Sequence, residues 1–232
     1  MKYLGGKSRL AKHICPILQE SIDRTARFNE PFLGGNSIRQ HLDIDPTRCF
    51  LSDIDRSLIT LYKAILDGWD APDEISEADY AALKAANDDE DPRTAFAAFG
   101  CSFAGKKWGG YARDHKRHTN FAAQTKRGLI KSVKPGFYRS GSYLHMDYGD
   151  RATIYCDPPY ANTTGYKSGK FDHIRFWSWC RVMANMGFEV FVSESNIPDD
   201  VDSEIVWEVV RDVQFMGQEA KAMPDRLYRV LG

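Results

Sequence analysis

The sequence predicts an α/β protein built on a largely parallel sheet that carries one long insertion. Three observations lead there: short apolar runs rich in β-branched and aromatic residues recur, helical patterns separate them, and a single interval breaks the alternation. Strands are expected at 26–32 (ARFNEPF), 48–54 (RCFLSDI), 152–157 (ATIYCD) and 188–194 (FEVFVSE). Helices fit between them, at 8–22 with Ser8 placed to cap, from 36 to 42, and at 172–186 between Asp172 as N-cap and Gly187 as the stop. The runs 204–210 (EIVWEVV) and 226–231 (RLYRVL) are suited to an antiparallel ribbon.

The interval 67–140 shows no strand pattern and is read as an insertion in a domain formed by 1–66 and 141–232. Net charge over the 232 residues is only −1, yet this interval is polarised. Residues 67–94 hold ten acids against Lys84 and Arg93, and residues 101–139 hold ten bases against Asp114. A basic block of that density is an electrostatic footprint for phosphates, whereas its plain alternative is a solvated surface.

No run of 18 apolar residues exists, and MKYLGGKSRL lacks the apolar stretch of a secretory signal, so a cytoplasmic protein without a membrane partner is expected. The five cysteines are scattered, without CxxC spacing, which favours reduced thiols. His115 and His118 near Cys101 lack the second ligand pair of a zinc site, and no metal is expected.

The sharpest local signal is IYCDPPY at 154–160. Neither proline donates a hydrogen bond, and Pro158 keeps Asp157 out of a helix, so a carboxylate stands rigidly at the carboxyl end of a strand, where open α/β sheets bind ligands. An aromatic amine is a poor nucleophile because its lone pair is delocalised. Two acceptors on its N–H bonds, the Asp157 carboxylate and the Pro158 carbonyl, draw the nitrogen towards tetrahedral geometry, and Tyr160 can stack on the ring. Cys156 should point to the opposite face and serve as core. A second signal, EPFLGGNS at 30–37, places glycines where a strand turns. Asp53 follows Gly34 by 19 residues and ends the next strand, where an acid can accept hydrogen bonds from ribose hydroxyls; Asp55 competes for that role. The N-terminal YLGGK cannot be a phosphate-binding P-loop, since Met1 stands where that motif needs its first glycine.

In the order of these motifs, over nearly its whole length, the chain resembles the Dam-type, DPPY-containing N6-adenine DNA methyltransferases. The resemblance implies a class I S-adenosylmethionine-dependent methyltransferase, with a Rossmann-like sheet and with 67–140 as an inserted target-recognition domain. It implies that Asp157, Pro158, Pro159 and Tyr160 are catalytic and that S-adenosyl-L-methionine is the cofactor. Tyr3 and Lys7 would meet the cofactor's methionine part and Pro31, Phe32 and Gly34 its turn. Asp53 is favoured over Asp55 for the ribose, and Asp147 and Tyr148, in YLHMDY at 143–148, would meet the adenine. The family usually ends its glycine turn with a third glycine where this chain has Asn36, a residue that tolerates a left-handed backbone at some cost.

Residues 99–113 interleave aromatics, glycines and bases in the manner of phage-borne adenine methylases. Double-stranded DNA is the implied partner and base flipping the implied route, with Lys106, Lys107, Trp108, Tyr111, Arg113, Lys116, Arg117, Lys126 and Arg127 in contact with it. Trp108 and Tyr111 could equally form the insertion's small core. RNA adenine, the N4 amine of cytosine, or a DNA-binding relative without catalysis remain the alternatives.

Overall fold

The computed structural model describes residues 1–114, 116–160, 171–213 and 221–232, with backbone alone at 211–213 and 221–223. In chain order the elements are α1 (Ala11–Ile22), β1 (Arg27–Glu30), β2 (Cys49–Asp53), α2 (Arg56–Leu66), α3 (Glu77–Ala86), α4 (Pro92–Ala95), α5 (Phe121–Ser132), β3 (Phe137–Ser140), β4 (Ala152–Cys156), α6 (His173–Asn185), β5 (Glu189–Glu194), β6 (Ser203–Val213) and β7 (Lys221–Val230). They fall into two compact units, Met1–Lys12 with Leu33–His145, and His13–Phe32 with Met146–Gly232.

The second unit is a sheet in the order β1-β4-β5-β7-β6. β1 runs parallel to β4 and β4 to β5, while β7 is antiparallel to both β5 and β6. Every residue of β4 is buried, as befits a strand covered on both faces. Ser21 and Thr153 hydroxyls, 2.8 Å apart, fasten α1 to β4. α6 begins at Asp172, whose carboxylate accepts from the Arg175 amide at 2.9 Å, and buries Phe176, Trp177, Cys180, Met183 and Ala184. Gly187, at φ +88°, ends it by turning left-handed. The final ribbon forms as expected, with longer strands and an irregularity between Ile205 and Trp207.

The first unit pairs β2 with β3 in parallel. α2 starts on an Asp55 cap, α3 on a reciprocal Ser76 and Asp79 capping box, and α5 on Asn120. α4 runs into a π-helical turn, Phe96–Gly100, that is wholly buried. α2 packs against α4 and α5 against this turn, and Leu58, Leu61 and Tyr62 of α2 and Leu129 of α5 are inaccessible to solvent.

Three expectations are corrected. α1 starts at Ala11, not at 8: the Leu10 and Ala11 amides donate to the Lys7 carbonyl at 2.8 Å, while the Ser8 hydroxyl lies 3.1 Å from that of Ser37. The 36–42 segment holds one 3-10 turn, Arg39–His41. Its buried Arg39 guanidinium donates to the carbonyls of Leu42, Ile44 and Pro135 at 3.1, 3.4 and 3.0 Å, and Asn36 stands at φ +52°, outside the helical region. Finally, residues read as free of strand pattern include β3, which pairs with β2 from Phe50↔Phe137 to Asp53↔Ser140.

Candidate active site

In the first unit the site grows from the end of β2. The Leu33 amide donates to the Ser52 carbonyl at 3.0 Å, and the chain then turns at Gly34, whose φ is +45°. The Gly34 amide donates to Asp53 Oδ2 at 2.8 Å, the Asp55 amide to Asp53 Oδ1 at 2.9 Å, and the Tyr62 hydroxyl to the Gly34 carbonyl. A β-carbon on Gly34 would lie 2.9 Å from the Tyr3 ring, and one on Gly35 only 2.6 Å from Tyr3 Cβ. Tyr3 therefore rests directly on the glycine turn, and its ring also stacks with Phe99 at 5.0 Å. Lys7, on the same N-terminal segment, is buried and donates from Nζ to the Gly5 carbonyl at 3.3 Å. Tyr3, Gly34 and Asp53 are thus brought together, with Lys7 close along the chain.

Asp55 is committed as the α2 cap, accepting from the Ser57 amide and hydroxyl, and is paired with Lys107 Nζ at 2.6 Å. Among the described residues Asp53 meets only backbone donors, and each carboxylate oxygen has a second lone pair to offer a ligand hydroxyl. Sequence reasoning passed over Asn36 as a site residue. It is 1% exposed, its Nδ2 donates to the Tyr138 hydroxyl at 3.3 Å, and its Oδ1 meets no donor among the described residues. A buried acceptor left open beside a glycine turn and an acidic strand end fits a polar ligand with donors of its own.

In the second unit β1 ends on Glu30, followed by buried Pro31 and by Phe32, which packs edge-on against Phe171 and Phe176 at 5.8 and 5.6 Å. Asp157 is half-buried, Pro158 buried, and Pro159 and Tyr160 half-buried. Because Asn29 pairs with Ile154, Glu30 lies beside Tyr155, and strand alternation puts both on the face that Asp157 continues. The Tyr155 hydroxyl is 2.8 Å from that of Ser193. Burial, and then the charges of Asp157 and Glu30, hold this phenol well above its ordinary pKa. Glu30 and Tyr155 were not among the expected site residues; the alternation of two adjacent parallel strands is the signal that locates them. Cys156 is buried beside Cys180, its thiol raised far up chiefly by burial. Asp147 is exposed, its carboxylate 3.4 Å from Arg27 and its backbone carbonyl accepting from the same guanidinium at 2.9 Å. Tyr148 is buried against Trp179 at 5.3 Å.

Several of the expected DNA-contacting bases have partners. Arg113 pairs with Glu77 and lies over the Tyr111 ring, Lys126 bridges Asp70 and Asp73 at 2.8 and 3.1 Å, and Lys107 holds Asp55. Trp108 donates to Asn87 and Tyr111 to the Ile75 carbonyl, and both rings pack against Tyr80. Lys106, Lys116, Arg117 and Arg127 are exposed, and their side chains form no ion pair among the described residues; the Lys116 and Arg117 amides donate to Asp114. His115 lies outside the described residues, His118 is exposed at φ +48°, and Cys101 is buried.

Burial pushes Asp53 up to about 6 from an ordinary 3.8, against the pull of its two amide donors. The folded state thus holds this proton more tightly than the unfolded chain, so ionising Asp53 costs stability; the cost is absent below about pH 4 and complete above about pH 6. Carbon-13 NMR of aspartate carboxyls should show one group titrating near pH 6 and missing from Asp53→Asn; an Asp53 midpoint below 4 would contradict this burial argument.

Residues 3–124, just over half of the chain, match the model of the D12 class N6 adenine-specific DNA methyltransferase family. No curated protein matches the chain. The matched segment contains the glycine turn, Asp53 and the first of the exposed bases, while the DPPY run at 157–160 lies beyond it and adds its own signal. The chain belongs to the D12 class of N6 adenine-specific DNA methyltransferases.

Proposed function

We propose that this adenine-specific DNA methyltransferase is a Dam-type, DPPY-group enzyme that takes its methyl group from S-adenosyl-L-methionine and acts on an adenine flipped out of double-stranded DNA. The observation that carries the proposal is Asp157-Pro158-Pro159-Tyr160 at the carboxyl end of the buried strand β4, with Asp157 half-buried on the face that holds Glu30 and Tyr155.

The cofactor supplies an electrophilic methyl when bound. The protein's part is to make N6 nucleophilic. The Asp157 carboxylate and the Pro158 carbonyl each accept one N6 hydrogen, which localises the lone pair on nitrogen, and the Tyr160 ring stacks on the base in place of its lost neighbours. Burial of Tyr155, and then the negative charges of Asp157 and Glu30, keep that phenol protonated, so Tyr155 remains a donor under Asp157 at neutral pH. Tyr3, Lys7, Pro31, Phe32, Gly34, Asp53, Asp147 and Tyr148 serve the cofactor. Asp53 is supported by its two backbone-only contacts, and Lys7 by its burial near the turn.

Residues 67–140 act as the recognition domain, and the 99–113 segment supports a phage-like member of the group. No helix among the described residues is long and apolar enough to cross a membrane. A DNA substrate supports a cytoplasmic enzyme. Within the insertion, Lys106, Lys116, Arg117 and Arg127 are the bases best placed to neutralise phosphates. Lys107, Trp108, Tyr111, Arg113 and Lys126 first organise the domain and contact DNA as already paired groups.

Asp157→Ala should lower methyl transfer at least roughly a hundredfold while duplex affinity stays within about twofold; equal loss of both would overturn the catalytic assignment. Salt titration of duplex binding separates the two classes of base. Lys116→Ala and Arg117→Ala should each flatten the slope of log affinity against log salt by about 1, and Arg113→Ala by less, because its charge is already matched by Glu77. An Arg113 effect as large as the others would contradict the division.

A further inference from the structure

We propose that the side-chain carbonyl of Asn36 accepts a hydrogen bond from the ammonium group at the amino-acid end of the cofactor, an inference that rests on the S-adenosylmethionine reading above. Asn36 closes the glycine turn, its amide donating to the Leu33 carbonyl at 2.9 Å, and it does so at φ +52°, where glycine would sit without strain. An asparagine there carries a conformational cost that a glycine would not.

The orientation of that side chain is fixed by its neighbours. Tyr138 donates its only proton to the Lys134 carbonyl at 2.8 Å, so it can only accept from Asn36, and Nδ2 must face it. Oδ1 is then left buried without a donor among the described residues, in a residue that is 1% exposed. A buried acceptor in that state is costly until a donor arrives.

The amino-acid end of the cofactor is the part that meets it. Ser37, the next residue, bonds through its hydroxyl to that of Ser8, and a β-carbon on Gly6 would stand 3.5 Å from the same Ser37 oxygen. Hence the segment bearing Lys7, the cation suited to the cofactor carboxylate, lies against the exit of the turn. The ammonium borne on the same carbon as that carboxylate is the strongest donor the ligand has and the natural partner of a buried carbonyl.

The test is calorimetric binding to the full chain of S-adenosylhomocysteine and of its analogue with hydrogen in place of the α-amino group. The wild type should favour the amine-bearing ligand at least tenfold. Asn36→Gly, which relieves the left-handed strain and should melt no lower than the wild type, should lose roughly tenfold in affinity for S-adenosylhomocysteine and none for the analogue. Asn36→Asp, which keeps an acceptor, should retain the preference. A wild type that fails to discriminate, or an Asn36→Gly effect equal for both ligands or absent for both, would overturn the proposal and leave the acceptor to water. Absence of any wild-type binding at millimolar S-adenosylhomocysteine would overturn the cofactor reading as well.

Discussion

The hydrogen bond from the Gly34 amide to the buried Asp53 carboxylate sets the conformation of the first unit's ligand-facing turn. It joins the end of β2 to a residue 19 positions earlier, and the Tyr62 hydroxyl holds the Gly34 carbonyl from α2. With both backbone groups of Gly34 tied, the turn is left-handed at Gly34 and again at Asn36, and it is flat enough for Tyr3 to lie on it. A buried acid whose partners among the described residues are amide N–H groups remains costly to ionise, which is why Asp53 is raised to about 6, while Asp55, a helix cap in a salt bridge, is spent on structure.

The second unit makes the same use of strand ends. β1, β4 and β5 run in parallel, β1 and β5 finishing on Glu30 and Glu194 and β4 just before Asp157, so carboxylates collect where the strands stop. Register then sorts them: Glu30 and Asp157 share the Tyr155 face, while Cys156 turns to the opposite side and packs with Cys180. No helix runs from Asp157 through Tyr160, whereas Asp55 and Asp172 are taken up as the caps of α2 and α6.

Much of this was legible in the sequence because the signals were local. Asp172 and Gly187 bracket α6 as expected, the strand runs fall within two or three residues of β1, β2, β4 and β5, and the left-handed Asn36 follows from its chemistry. What was hidden depended on distant partners. Ser8 lost its capping role to a hydroxyl at Ser37, Arg39 is held by the carbonyl of Pro135, and β3 is a four-residue strand recognisable only by its pairing with β2. The opposed charge blocks of the insertion were plain as numbers; that Arg113 finds Glu77 and Lys126 finds Asp70 and Asp73 is a matter of folding, and it decides which bases carry an acidic partner. The open Oδ1 of Asn36 is likewise invisible without the Tyr138 and Lys134 contacts that orient it.

These features converge on a single reaction, methylation of the exocyclic amine of adenine in DNA, and one measurement bears on it most directly. Duplex DNA and RNA would be incubated separately with the purified chain and methyl-labelled S-adenosylmethionine, digested to nucleosides and resolved by mass spectrometry. The account predicts label in N6-methyladenosine's deoxy form from duplex DNA alone. Label in N4-methylcytosine, or in RNA and not in DNA, would contradict it.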